Sequence, residues 1–158
     1  MYNGLPILVM GAFHGALEAH SIFFMEGSRL RKVESAFSNE RISGNKLSGV
    51  YLPDSVTHIG GYAFRNVETL EHVSEHYAKE GVIGLLPANL TYIGDRAFAM
   101  EWSAGKVHIK QLPESLTMLD GERIFYKGGP NITITSIPKN IPRAAIFTLA
   151  DCRNIAIT

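Results

Sequence analysis

His72, Glu75 and His76 in the run His-Val-Ser-Glu-His match H-x-x-E-H, the inverted arrangement of a zinc-protease helix. That chemistry needs two imidazoles one turn apart on a rigid helix, a carboxylate beside the zinc-bound water, and a third protein ligand in the same cleft. Spacing marks no third ligand, since His14, His20, His58 and His108 are scattered along the chain without a shared interval. Cys152 is the only cysteine, which excludes an internal disulfide framework and a cysteine-based zinc ribbon. No G-x-S-x-G elbow holds a serine nucleophile, and Gly60-Gly61 and Gly128-Gly129 lie in no phosphate-cradling pattern. Asn89-Leu90-Thr91 and Asn131-Ile132-Thr133 fit the glycosylation acceptor, but both fall on positions that recur for another reason. A metal-dependent hydrolase using His72, Glu75 and His76 is therefore a reading to be weighed against whatever element carries them.

That element is a repeat. The stretch LPDSVTHIGGYAF from Leu52 to Phe64 returns in register as LPANLTYIGDRAF from Leu86 to Phe98. It returns again as LPESLTMLDGERIF from Leu112 to Phe125, one residue longer, and as IPKNIPRAAIF from Ile137 to Phe147, two residues shorter. With Phe13, Phe37, Phe64, Phe98, Phe125 and Phe147 as markers, the intervals are 24, 27, 34, 27 and 22 residues. These bracket the roughly 20 to 29 residues of a leucine-rich repeat, with one interval lengthened. Apolar residues follow each Phe at a fixed rhythm: Val67, Leu70 and Val73 after Phe64, Ala16, Ala19 and Ile22 after Phe13, then Val107 and Ile134.

Ahead of each Pro stands a β-type run: VYLP from Val50, VIGLLP from Val82, VHIKQLP from Val107 and ITITSIP from Ile132. Each reads as a short strand ended by proline, which has no N–H to donate. A polar pair then turns the chain, a second extended piece follows (VTHIG, LTYIG) with a bend at its Gly, and the Ala-Phe segment closes the coil as a turn of helix with Phe inward. The extra length of the long interval falls at Ser74 to Gly81, SEHYAKEG, a helix-forming insertion of the kind that emerges on a binding face. Ser38 to Ser48 is polar and reads as a loop within the second repeat. Because Val73 is a ladder position, His72 falls on an exposed strand or turn position rather than on a helix with His76, which argues against the hydrolase.

The chain of 158 residues carries 15 basic and 15 acidic side chains, a balance that gives no field to attract nucleic acid or an anionic membrane. No apolar run approaches the roughly 18 residues a membrane-spanning helix needs. MYNGLPILVMGAFHGALEAHS lacks the basic start and clean cleavage site of a signal peptide, and reads as part of a degenerate first repeat.

The pattern LPxxLTxIGxxAF, with apolar residues after Phe and a strand ending in Pro, resembles the BspA-like leucine-rich repeat family. In that family the third position after Phe is often Cys; here Val67 stands there, and Cys152 lies five residues after Phe147. The expected fold is an α/β repeat solenoid with short parallel β-strands and helical turns, in about five to six repeats. It forms one domain over 1–158: a degenerate repeat over 1–29, core repeats over 30–147 and a partial repeat over 148–158. The resemblance implies a non-enzymatic protein-binding module, extracellular or on the cell surface, that adheres to a host or extracellular matrix protein. It calls for no cofactor and no catalytic residue, and oligomeric state stays open. A structural spacer is the competing reading. Strands stacked roughly 4.8 Å apart would present a ladder of outward side chains, and Tyr51, His72, His108, Lys110, Thr133 and Thr135 are its candidates. His76 and Tyr77 in the insertion and Trp102 after Phe98 are further contact candidates.

Overall fold

The computed structural model describes residues 7–8, 18–39, 46–143, 145 and 149. Readings that fall on Phe13, His14, Ala16, Phe147, Cys152 and the middle of the Ser38 to Ser48 loop lie outside them.

Among the described residues, eight short strands follow one another as β1 (Ile7–Leu8), β2 (Ser21–Phe23), β3 (Lys32–Val33), β4 (Gly49–Leu52), β5 (His58–Ile59), β6 (His72–Ser74), β7 (Tyr92–Ile93) and β8 (Met118–Leu119). One helix, α1 (Glu75–Glu80), separates β6 from β7. The strands form two sheets of order β1-β3-β5-β7-β8 and β2-β4-β6, and every pairing is parallel. Past β6 the second sheet continues through a bond from the His108 N–H to the Glu71 carbonyl and a bridge between Ile109 and Ile132. Parallel neighbours need a crossover between them. Here the rest of each repeat supplies it.

Identical turns follow the proline of four repeats. Val56, Leu90, Leu116 and Ile141 each donate an N–H back to the carbonyl of the proline three residues earlier, Pro53, Pro87, Pro113 and Pro138. The inward residues of the five-stranded sheet, Val33, Ile59, Ile93 and Leu119, are buried, as are Val67, Leu70, Val73, Val107 and Ile134 of the post-Phe rhythm. At the centre, Phe37, Phe64, Phe98 and Phe125 form a column of nearly parallel rings with centroids 5.1, 5.2 and 5.6 Å apart. That pitch is close to the strand spacing, so the rings stack because the backbones do. The 34-residue interval leaves the column unbroken.

Three expectations are corrected. The Ala-Phe segments are hydrogen-bonded turns, not turns of helix. Phe37, Phe64 and Phe98 donate their N–H groups to Ala63, Ala97 and Ile124 in the next repeat at 3.1, 2.8 and 2.8 Å. A helix would use those groups locally and leave the repeats uncoupled along this side. Ser35, Tyr62, Arg96 and Arg123, each two residues before a Phe, take φ of 48, 60, 51 and 51°, left-handed values that stop a helix from forming. The run from Val82 is also not a strand, and the runs from Val107 and Ile132 are not strands either, meeting only in the isolated bridge between Ile109 and Ile132. The slot of the Val82 run in the sheet is taken by β6, ten residues earlier, and the insertion runs between β6 and Leu86. Val82 and Ile83 are consequently exposed at 39 and 42%.

Glycines in the second extended pieces act by close approach rather than by bending. An added Cβ on Gly94 would lie 2.6 Å from the Gly61 nitrogen and 2.9 Å from the Gly60 carbonyl carbon of the preceding repeat. The extra residue of the third copy is Gly121, with φ of 93°, between Asp120 and Glu122, whose N–H groups keep their bonds to Ile93 and the Asp95 carboxylate.

Candidate functional site

The outward side of the three-stranded sheet carries a chain of rings. Phe23 on β2 and Tyr51 on β4 are register partners with centroids 4.7 Å apart. Tyr51 lies 6.2 Å from Tyr77 of α1, Tyr77 stacks on His72 at 3.4 Å, and His72 stacks on His108 at 5.3 Å. Gly49 makes this possible. The Tyr51 ring folds back over it, into space a side chain would fill. Beyond Phe23, Met25 stands in solvent at 87% exposure, and Phe23 itself is 67% exposed.

The insertion sets the middle of this face. Ser74 caps α1, its Oγ accepting the His76 N–H, and Gly81 ends the helix in the left-handed region, its N–H donating to the Tyr77 carbonyl. Lys79 and Glu75 pair at 2.8 Å along one face. One turn in, Tyr77 falls over His72. Burial, with the neighbouring His108 charge second, therefore holds the His72 imidazole below its ordinary pKa.

His76 points the other way. Its Nε2 lies 2.7 Å from Asp54 Oδ2 and its Nδ1 3.5 Å from Glu80 Oε1. The hydrogen bond to Asp54 raises its pKa against the opposing effect of burial. Asp54 in turn accepts the Ala88 N–H on Oδ1 and donates its own N–H to Glu75 Oε1. Hollows of about 210 and 180 Å³ flank this cluster, the first beside His76, Leu86 and Glu114, the second beside Glu26, Asp54 and Glu75.

Of the sequence candidates, Tyr51, His72, His108 and Tyr77 come together in the ring chain. Lys110 and Thr133 lie beyond the last strand of this sheet, beside the isolated Ile109–Ile132 bridge, and are exposed, as is Thr135. His72 needs correction as an exposed position. It is 8% exposed because Tyr77 covers it. The H-x-x-E-H pair is also split, His72 sitting in β6 and His76 turning to Asp54, so the two imidazoles do not share a cleft as the hydrolase requires. Trp102 sits at 39% exposure in a bend whose backbone is held by Asn66 and Glu68.

Several residues were not singled out by sequence. Phe23 and Met25 belong to the SIFFM run, where only Ile22 showed a ladder signal. Asp54 sits in a turn that also serves the scaffold. On the five-stranded sheet, Lys32, His58, Tyr92 and Met118 are successive register partners. Tyr92 donates its hydroxyl to Asp120 at 2.7 Å, which pushes its pKa up to about 12. Burial and then Lys32 hold His58 below its ordinary pKa.

No curated protein and no solved structure gives a significant match to the chain. The family model for the BspA type leucine rich repeat region matches residues 34–79 and 83–157, in six copies. Its one interruption falls where α1 ends, at the insertion that the other repeats lack. With the pattern, the parallel sheets and the phenylalanine column in agreement over most of its length, the chain belongs to the BspA-type leucine-rich repeat family.

Proposed function

We propose that this chain is a single solenoid domain, a non-enzymatic protein-binding module of the cell surface or extracellular space, that adheres through the outer side of the three-stranded sheet. The observation that carries the reading is the exposed apolar rim formed by Phe23 and Met25 and backed by Tyr51 and Tyr77. Large apolar side chains held in register on a sheet cost solubility, and contiguous ones mark contact surfaces. Aromatic residues also carry a disproportionate share of binding energy in protein interfaces. Lys110, Thr133 and Thr135 would form the polar rim of the same face. Among the described residues no helix is long and apolar enough to cross a membrane.

The test is surface plasmon resonance of the purified chain over immobilised extracellular matrix glycoproteins. Binding should weaken at least tenfold in Phe23→Ser and Tyr51→Ala, since losing one central aromatic costs about 2 kcal/mol. Lys139→Ala, away from the face, should bind as wild type. No binding to any matrix protein, or equal binding by all variants, would favour the spacer reading.

A further inference from the structure

We infer that Asp54, Glu75 and His76 form a divalent-cation site of the zinc class, which clasps the insertion helix to the repeat before it. This stands apart from the protein-binding reading. Asp54 comes from the turn after Pro53, while Glu75 and His76 come from α1, so a bound ion would bridge two elements 21 residues apart. One ligand atom from each lies within 4.8 Å of the other two. Ligands at roughly 2.1 Å from a tetrahedral ion are about 3.4 Å apart, so closure asks the side chains to shift by about 1 Å.

Two of the ligands are held by groups outside the triad: Glu80 Oε1 faces His76 Nδ1 at 3.5 Å, and the Ala88 N–H holds Asp54 Oδ1 at 2.8 Å, whereas Lys79 pairs with Glu75 Oε2 at 2.8 Å and draws that carboxylate away from an ion. A carboxylate on the far ring nitrogen is the arrangement that orients metal-bound histidines. The inner atoms are then His76 Nε2, Asp54 Oδ2 and Glu75 Oε1. His76 Nε2 and Asp54 Oδ2, 2.7 Å apart, now share a proton that the ion would displace. All three side chains are only partly buried, and the flanking hollows leave room for water as a fourth ligand. An imidazole with two carboxylates suits zinc rather than calcium or magnesium, which favour all-oxygen shells. Two carboxylates also balance the charge of the ion. Lys79 works against it by competing for Glu75.

The experiment is isothermal titration calorimetry of the chelator-stripped chain with zinc chloride near neutral pH, and with magnesium chloride in parallel. The expected result is one zinc per chain and no magnesium heat. His76→Ala and Asp54→Asn should weaken zinc at least tenfold, whereas His72→Ala and Cys152→Ser should not. Lys79→Ala should bind zinc several-fold more tightly, an outcome that a damaged fold cannot produce. Absence of zinc binding, binding retained in His76→Ala, equal loss in His72→Ala, or weaker binding in Lys79→Ala would each overturn the assignment.

Discussion

Phe64→Ala removes a ring that is fully buried and stacked on both sides, against Phe37 at 5.1 Å and Phe98 at 5.2 Å. Truncating a buried Phe to Ala costs about 3 to 5 kcal/mol in all, a total that already includes the ring contacts it loses. The neighbouring rings cannot collapse into the gap, because hydrogen bonds from Phe37 to Ala63 and from Phe64 to Ala97 fix the pitch of the turns. The loss should therefore lie in the upper half of that range, at about 4 kcal/mol. With a urea m value near 2 kcal/mol per molar, the midpoint should fall by about 2 M. Urea unfolding followed by circular dichroism measures it. Phe64→Leu, which keeps most of the volume but not the stacking, should cost only about 1 to 2 kcal/mol. A loss below about 1 kcal/mol for the Ala variant would refute the column as the centre of the core, and equal losses for Ala and Leu would refute the stacking.

Gly94→Ala should cost about 2 to 4 kcal/mol in the same assay, since its Cβ would strike the Gly60-Gly61 backbone, whereas Gly81→Ala, in open space at φ of 70°, should cost only about 1 kcal/mol; equal costs would mean that close approach is not the constraint. Gly49→Ala should displace the Tyr51 ring while the cost in stability stays under about 1 kcal/mol, a change visible in near-ultraviolet circular dichroism and absent when Gly49→Ala is added to a Tyr51→Ala background. For His72, burial holds the folded-state pKa below the ordinary value of about 6.5, so the unfolded chain binds more protons as pH falls through that range. The stability associated with neutral His72 is thus present above about pH 6.5 and is lost as pH falls towards the lowered folded value. Urea midpoints across this window should fall less steeply in His72→Phe, and identical slopes would show that the imidazole is not covered by Tyr77.

The scaffold was legible because four copies vote on each position. Leu52, Val56, Ile59, Ala63 and Phe64 are all buried, as their recurrence required. What recurrence could not decide was which of two β-type runs fills one strand slot. Val73 and the run from Val82 both fit the apolar rhythm, and the choice is made by pairing of Gly49 with His72. Once β6 takes the slot, the insertion must leave from its end and return at Gly84, whose carbonyl accepts the Lys110 N–H. The cover over His72 follows from that path, and nothing local to His72 foretells it. The turns at Ala-Phe are hidden for a related reason: the N–H groups of Phe37, Phe64 and Phe98 bond to the next repeat, and no window within one repeat contains those partners.

The polar positions of the repeat are also less free than its apolar pattern implies. Thr57, Thr91 and Thr117 donate their hydroxyls to the backbone carbonyl of the repeat before, Arg31, Thr57 and Thr91. Ser55 and Ser115 do the same to Leu30 and Leu90, and Asn89 reaches the Asp54 carbonyl. These side chains satisfy carbonyl lone pairs along the stack, which makes them scaffold as surely as the phenylalanines. Asp54 breaks the rule. Its carboxylate bonds forward to Ala88 and sideways to His76 of the insertion, so that element is fastened through a turn position that the repeat left unassigned. The parts of this chain able to differ from one family member to another are therefore the outward strand positions and the insertion they support, and both meet at Tyr77, which touches Tyr51 and His72 at once.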